Sequence, residues 1–369
     1  MKRLALILAI AAAIFAAGCV SQPAVTEVKP PAEVKIAVLH VNDMHGHPLA
    51  YDNYPANKVG GLPAIATLVD QTRAEYANVL FLDAGDVTTG RPESNFFKAE
   101  PDILGYNMLQ LDAMTLGNHE FDNELSVLAM QKRLAGFPML SANVKTKDGA
   151  YVADKPYVVK TFQGVKVGIF GLTTKETSIV GNPAIVKDLV FADEVETAKA
   201  MVKQLREVEK ADVVIALVHL GFDDVYKPGS KGLASAVSGI DLIIDGHSHT
   251  RMKEPFVVNG TPIVQAFQWG IVVGKGVMTV KDGKVASFNW EAVTINDNNK
   301  GVAAGPQFAQ KAIVQNFLAG YNAKVEDMLK EKIGVAAGLF PNAESRKSET
   351  AIGDRSEERR VGKECRSRW

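Results

Sequence analysis

All seven histidines of this 369-residue chain fall between His40 and His249, and five of them stand where an apolar run gives way to Asp, Asn and Gly. Val34 to Val41 breaks into Asn42-Asp43-Met44-His45-Gly46, and Val79 to Leu82 ends in Asp83-Ala84-Gly85-Asp86. Ala113 to Leu116 feeds Gly117-Asn118-His119-Glu120-Phe121-Asp122, Val213 to Val218 ends at His219, and Leu242 to Ile244 leads into Asp245-Gly246-His247-Ser248-His249. A lone histidine at a strand end is commonly a structural residue; five in one pattern argue for a shared site. Imidazole and carboxylate without thiolate suit zinc, manganese, iron or cobalt, and disfavour a zinc finger. One carboxylate has two oxygens and can bridge two cations. Cations about 3.5–4 Å apart polarise a phosphoryl group and supply hydroxide at neutral pH, so phosphoester hydrolysis is the reaction these parts suit.

Such residues need strands that end together, because open α/β sheets build their sites beyond the carboxyl ends of the strands. Strand and helix patterns alternate along the chain. Helical spacing runs over 62–76, 92–111, 124–134, 193–209 and 231–237, and strands are expected at 78–82, 114–116, 138–144, 213–219 and 241–245. Gln163-Gly164 marks a hairpin between 157–162 and 165–170, and 255–291 reads as short β runs turning at Asn259-Gly260 and Asp282-Gly283. One long helix is expected over 306–332. The expectation is an α/β fold of two packed sheets with helices outside.

Composition excludes little else: 47% of residues are hydrophobic, 22% charged and 7% aromatic, and the formal net charge is −1. No basic excess marks a nucleic-acid polymer as partner, and no protein partner is inferred. Residues 1–18, with Lys2, Arg3 and an apolar stretch, read as a secretory signal. The exit Ala16-Ala17-Gly18-Cys19 resembles a bacterial lipobox, with Cys19 as the lipidation site and thus an anchor to a membrane of the cell envelope; the alternative is a plain signal peptide, an incidental cysteine and a periplasmic protein. Residues 19–33, with Pro23, Pro30 and Pro31, form a stiff tether. Residues 355–369 look like the in-frame translation of a sequencing-adapter oligonucleotide. Cys365 then drops out, leaving no cysteine pair.

Asp43-x-His45, Gly85-Asp86, Gly117-Asn118-His119-Glu120, His219 and Gly246-His247-Ser248-His249 together resemble the calcineurin-like metallophosphoesterases. The wider wording, with His40-Val41-Asn42, Asp122 and Ser141-Ala142-Asn143, resembles the bacterial 5′-nucleotidase and UDP-sugar hydrolase branch. The resemblance implies a two-sheet α/β/β/α sandwich of metallophosphatase type and two divalent metal ions, Zn or Mn first and Co or Fe as alternatives. It puts Asp43, His45 and His249 on one ion, Asn118, His219 and His247 on the other, and Asp86 across both. His119 would stabilise the phosphoryl oxygens with Asp122 orienting it, while a metal-activated hydroxide attacks phosphorus. The substrate implied is a 5′-nucleotide or nucleotide sugar. It also implies a catalytic domain over 34–305, a linker helix over 306–332, and at 333–354 the start of a substrate-recognising domain that the adapter-like stretch interrupts.

Around these residues Asp83 and Asp245 read as turn-stabilising, Glu120 as either a ligand-holding or a solvated carboxylate, and His40 and His47 as packing or ligand-supporting. Asn143 is a strand-end residue placed either near the phosphate or in a turn. Cyclic-nucleotide phosphodiesterase and thiosulfate-ester hydrolase chemistry share this metal site, and a non-catalytic envelope lipoprotein is the reading of another class. His119 and Asp122 argue against the last, since a binding protein needs neither.

Overall fold

In the computed structural model, residues 33–332 are described, apart from 54–55, 223–224, 226 and 298–306, together with 334–335 and 338. The expected leader, Cys19, almost all of the tether, nearly all of 333–354, and 355–369 lie outside the described residues, as does the expected boundary at 305.

Six strands form the first sheet: β1 (Glu33–Val41), β2 (Val79–Asp83), β3 (Ala113–Thr115), β4 (Met139–Leu140), and two later strands that return to its edge. The second sheet holds β5 (Tyr157–Phe162), β6 (Val165–Thr173), β7 (Val213–His219), β8 (Leu242–Ile244), β9 (Phe256–Val258) and β10 (Thr261–Val264). The returning strands are β11 (Val272–Lys281) and β12 (Lys284–Thr294). Spatial order is β12-β11-β1-β2-β3-β4 in one sheet and β9-β10-β8-β7-β6-β5 in the other. The middle of each is parallel: β1, β2, β3 and β4 run together, and so do β6, β7, β8 and β10. Their carboxyl ends are therefore neighbours, with Val41 opposite Asp83, Asp83 opposite Met114, and His219 opposite Thr173.

Successive residues of a strand face opposite sides, so a strand covered on both sides is apolar throughout. β7 shows the consequence: Val213, Ile215 and Leu217 join Ile36, Val38, Leu80 and Leu82 between the sheets, while Val214, Ala216 and Val218 turn outward. Outside the second sheet lie α4 (Glu194–Lys203) and α5 (Gly229–Ala236), which supply Ala198, Leu233 and Ala234. Against the first sheet pack α1 (Leu62–Glu75), α2 (Glu100–Leu109), α3 (Leu125–Leu134) and the start of α6 (Ala312–Leu329), through Leu68, Ile103, Leu128 and Val314. This is the expected α/β/β/α sandwich. The larger compact unit ends at Ala319, inside α6. Among the described residues no helix is long and apolar enough to cross a membrane.

Four elements depart from expectation. The pattern over 92–111 is two helices, 92–95 and α2, because Lys98 and Ala99 take φ of 55° and 62° between them. The run 138–144 is interrupted at Ser141. There Asn143 donates to the Thr173 carbonyl at 2.7 Å and accepts from the Thr173 N–H at 3.0 Å, spending its amide on the other sheet rather than on a substrate. β11 and β12 are long strands of the first sheet, not short runs, and the helix expected over 306–332 spans Ala312–Leu329.

Ile215 is fully buried between the sheets. Ile215→Ala should lower stability by about 2–5 kcal/mol, read from urea unfolding; a loss below about 1 kcal/mol would mean that the sheets close over the cavity.

Candidate metal centre

The seven expected ligands come from five strand exits along one edge of both sheets. The turn after β1 carries Asp43 and His45, tied to the turn after β2 by Asp43 N–H to the Gly85 carbonyl at 2.9 Å and His45 N–H to the Asp86 carbonyl at 3.0 Å. Asn118 follows β3, His219 closes β7, and His247 and His249 follow β8. Several positions in these turns demand glycine, Gly117 and Gly246 among them. A Cβ on Gly117 would stand 2.2 Å from Asp86 Oδ1, and one on Gly246 would stand 2.7 Å from His219 Nδ1. Five of the seven expected ligands hold left-handed backbone, with φ of 51° at Asp43, 45° at His45, 58° at Asp86, 77° at His247 and 49° at His249. Such strain persists only where surrounding structure enforces it, and it collects at functional sites.

The side chains converge as two groups. Donor atoms of Asp43, His45 and His249 lie within 4.8 Å of one another, and so do those of Asp86, His219 and His247. His45 Nε2 faces His249 Nε2 at 3.0 Å, and His249 Nε2 lies 3.2 Å from Asp43 Oδ1. Nitrogens bound to one ion at about 2.0–2.1 Å each stand about 3 Å apart, so this spacing fits a shared cation. In the second group His219 Nε2 is 3.0 Å from Asp86 Oδ2 and 3.2 Å from Asn118 Oδ1. Asp86 Oδ2 also lies 3.8 Å from His45 Nε2, which puts this carboxylate between the groups. The donor set is nitrogen and oxygen throughout, which suits divalent cations such as zinc or manganese.

His119 stands beside both groups. Its ring meets that of His45 edge-on at 5.0 Å, and its Nδ1 lies 2.7 Å from Asp122 Oδ2, which also accepts from the Thr89 hydroxyl. With His45 and Asp86 it makes a third convergent group, so distance alone does not separate it from the expected ligands. A cavity of about 240 Å³ adjoins this pair, lined by Thr88, Thr89, Ser94, Asn95, Lys98 and Asp122 among others.

Burial would lower His119, but the Asp122 and Asp86 carboxylates outweigh it and raise it to about 9. Burial likewise opposes charge on His219, and Asp86 overrides it, raising it to about 10. The reciprocal effect on Asp86 sets burial, which would raise its carboxyl, against His219, His45 and His119, which together hold it well below the usual range. Burial pushes His45 and His247 down.

The remaining expected residues sort by what they touch. Asp83 accepts from the Gly85 N–H at 2.7 Å and from the Tyr106 hydroxyl, and Asp245 accepts from the Leu220 and Gly246 N–H groups. Glu120, buried, accepts from the N–H groups of Asp86, Val87, Thr88 and Gly117, so it stitches the exits of β2 and β3 together and is not solvated. His40 accepts from Trp290 Nε1 at 2.9 Å, and His47 stacks on Trp269 with its Nδ1 against the Met44 and His45 carbonyls. Sequence reasoning passed over Asn42, which donates to Asp43 Oδ2 and to the Phe267 carbonyl, each at 2.6 Å. It also passed over Glu176, 3.2 Å from His247 Nε2. The signal available for Glu176 was its place just beyond β6, the parallel neighbour of β7.

Residues 36–251 match the calcineurin-like phosphoesterase family. A 5′-nucleotidase of Vibrio vulnificus (strain CMCP6) is 36% identical over 91% of this chain and 67% of its own length. Protein UshA of Escherichia coli (strain K12) is 35% identical over 82% of this chain and 61% of its own. Among solved structures, a 5′-nucleotidase precursor from Thermus thermophilus superposes with a TM-score of 0.71 at 28% identity, over 86% of this chain and 65% of that one. The chain spans about two thirds of the length of these relatives.

Gly117→Ala should force aside Asp86, the carboxylate between the two groups, and lower cation binding while the two sheets stay folded. The metal-to-protein ratio after dialysis, read beside the far-UV circular dichroism spectrum, checks this; an unchanged ratio would show that Asp86 yields to the methyl group without losing its place.

Proposed function

Because the chain belongs to the calcineurin-like phosphoesterase family, we propose that it hydrolyses phosphate monoesters or diesters at a pair of divalent cations, with 5′-nucleotides or nucleotide sugars as substrates. The observation that carries this reading is the placement of Asp86 between two convergent nitrogen and oxygen groups, with the His119–Asp122 pair beside them. Asp43, His45 and His249 would hold one ion and Asn118, His219 and His247 the other, with Asp86 common to both. Zinc or manganese suits this mixture of imidazole, carboxylate and amide oxygen. When bound, the ions supply Lewis acidity and a nucleophilic water at neutral pH.

The protein's own groups do the rest. Asp122 and Asp86 favour the imidazolium form of His119, which can offer an N–H to a phosphoryl oxygen or leaving oxygen as negative charge develops there. Asp122 holds the ring by Nδ1, which leaves Nε2 as the donor. Glu120 fixes the loop on which Asp86 and His119 both depend, through backbone N–H groups rather than through substrate. The nucleotide part of the proposal rests on the relatives described as 5′-nucleotidases. Recognition of the nucleoside by a domain beginning at 333–354, export by the leader 1–18, and anchoring through Cys19 belong to the same proposal and rest on sequence pattern alone.

Asp86→Ala should abolish release of phosphate from a 5′-nucleotide and weaken both ions, whereas His119→Ala should lower kcat by about 10²–10⁴-fold with both ions retained. Activity surviving in Asp86→Ala would sink the two-ion reading. The pH profile supplies a separate check. His119 is raised above its ordinary 6.5 to about 9, so its contribution lasts through neutrality and fades as pH passes the raised value. Asp122→Asn removes one of the carboxylates that raise it, and the alkaline limb of kcat/KM should move to lower pH.

A further inference from the structure

Each candidate ligand imidazole has two nitrogens, and what the second one meets decides which tautomer the ring presents. His45 turns Nε2 toward His249 and rests Nδ1 on the Thr89 carbonyl at 3.1 Å. His219 turns Nε2 toward Asp86 and Asn118 and rests Nδ1 on the Ala84 carbonyl at 2.7 Å. His247 differs in what its Nε2 meets. Its Nε2 meets a side chain, Glu176 Oε2, at 3.2 Å, and that side chain is a carboxylate rather than a neutral carbonyl. Glu176 is not part of the group that Asp86, His219 and His247 form, although it lies so near to one of its members. The Glu176 side chain is 44% exposed against 12% for His247, so it approaches from the solvent side of the ring.

We propose that Glu176 is a positioning residue for the second cation: by accepting from His247 Nε2–H it fixes the orientation of the ring and the tautomer that leaves Nδ1 with the free lone pair, and its charge raises the basicity of that nitrogen. The inference rests on the two-ion reading above and adds to it a residue outside the seven ligands. Carboxylates placed this way behind a ligand histidine orient the ring and typically change metal affinity 10–100-fold when removed. The placement has a local cause. Glu176 sits three residues beyond Thr173, the last residue of β6, and Thr173 pairs with His219 at the end of β7. The exit of β6 is therefore brought to the same edge as the ligands, carrying a carboxylate where the other exits carry imidazole or ligand carboxylate. Backbone bonds hold the turn, with the Thr174 N–H on the His219 carbonyl at 3.0 Å, so the second ion's ligand and its supporting carboxylate share one anchor.

The test is stepwise titration of the metal-free full chain with Mn²⁺ by calorimetry, repeated with Co²⁺ so that the visible spectrum reports each ion's surroundings. Glu176→Ala should weaken one of two binding steps about 10–100-fold and alter one Co²⁺ spectral component. The other step should stay within about twofold of the starting protein, inside the scatter of context effects. Glu176→Gln, which keeps an accepting oxygen and loses the charge, should fall between the two. The thermal midpoint of the metal-free variants should match that of the parent, which separates ion positioning from a general structural role. Two unchanged binding steps in Glu176→Ala would overturn the assignment of Glu176 while leaving the two-ion reading intact. A parent chain that binds fewer than two ions would overturn both.

Discussion

Two carboxylates buried where two sheets meet set the terms for everything around them. Asp43 and Asp86 have almost no contact with solvent, and an ionised carboxylate is costly to bury unless it is paired and hydrogen-bonded. Asp43 answers with the N–H of His247 and the amide of Asn42, and Asp86 with the N–H of His119 and the ring of His219. These partners come from both sheets, so the charges are satisfied only when the sheets are packed in register. Glu120 repeats the solution one layer back, spending its buried carboxylate on backbone donors of two loops. What looks like a ligand cluster is thus also the polar seam of the sandwich.

The same residues meet a geometric demand. A chain that leaves a strand and at once turns its side chain back toward the sheet edge often needs φ above zero, which most side chains resist. Aspartate and histidine are among those that tolerate it best, and five of the expected ligands adopt it. The residue types that suit cation binding therefore suit the turn as well. Glycine serves where even this latitude is too little, and Gly117 lies so close to Asp86 that a methyl group has no room.

How much of this was legible depended on whether a residue's role was local. Strand exits announce themselves, since an apolar run followed by Asp, His, Asn and Gly has few other meanings, and the architecture follows from runs that are apolar on both faces. The break at Lys98 and Ala99 was hidden because helical spacing resumes across it. Asn143 stands at a strand end like the ligands, yet its amide is satisfied by Thr173 thirty residues away, which no local pattern discloses. Glu176 was overlooked for the converse reason. The exit of β6 has no histidine, and the carboxylate gains meaning only from a ring that arrives 71 positions later.

His45 and His249, which face each other at 3.0 Å, are 204 positions apart in the chain. No segment shorter than that span can assemble the first group, and a nascent or translocating polypeptide offers a passing cation only scattered donors. Metal capture is then a late event, coupled to completed folding rather than to synthesis. Whichever divalent ion occupies the site, its donors come together only once strands far apart in the chain have paired into both sheets.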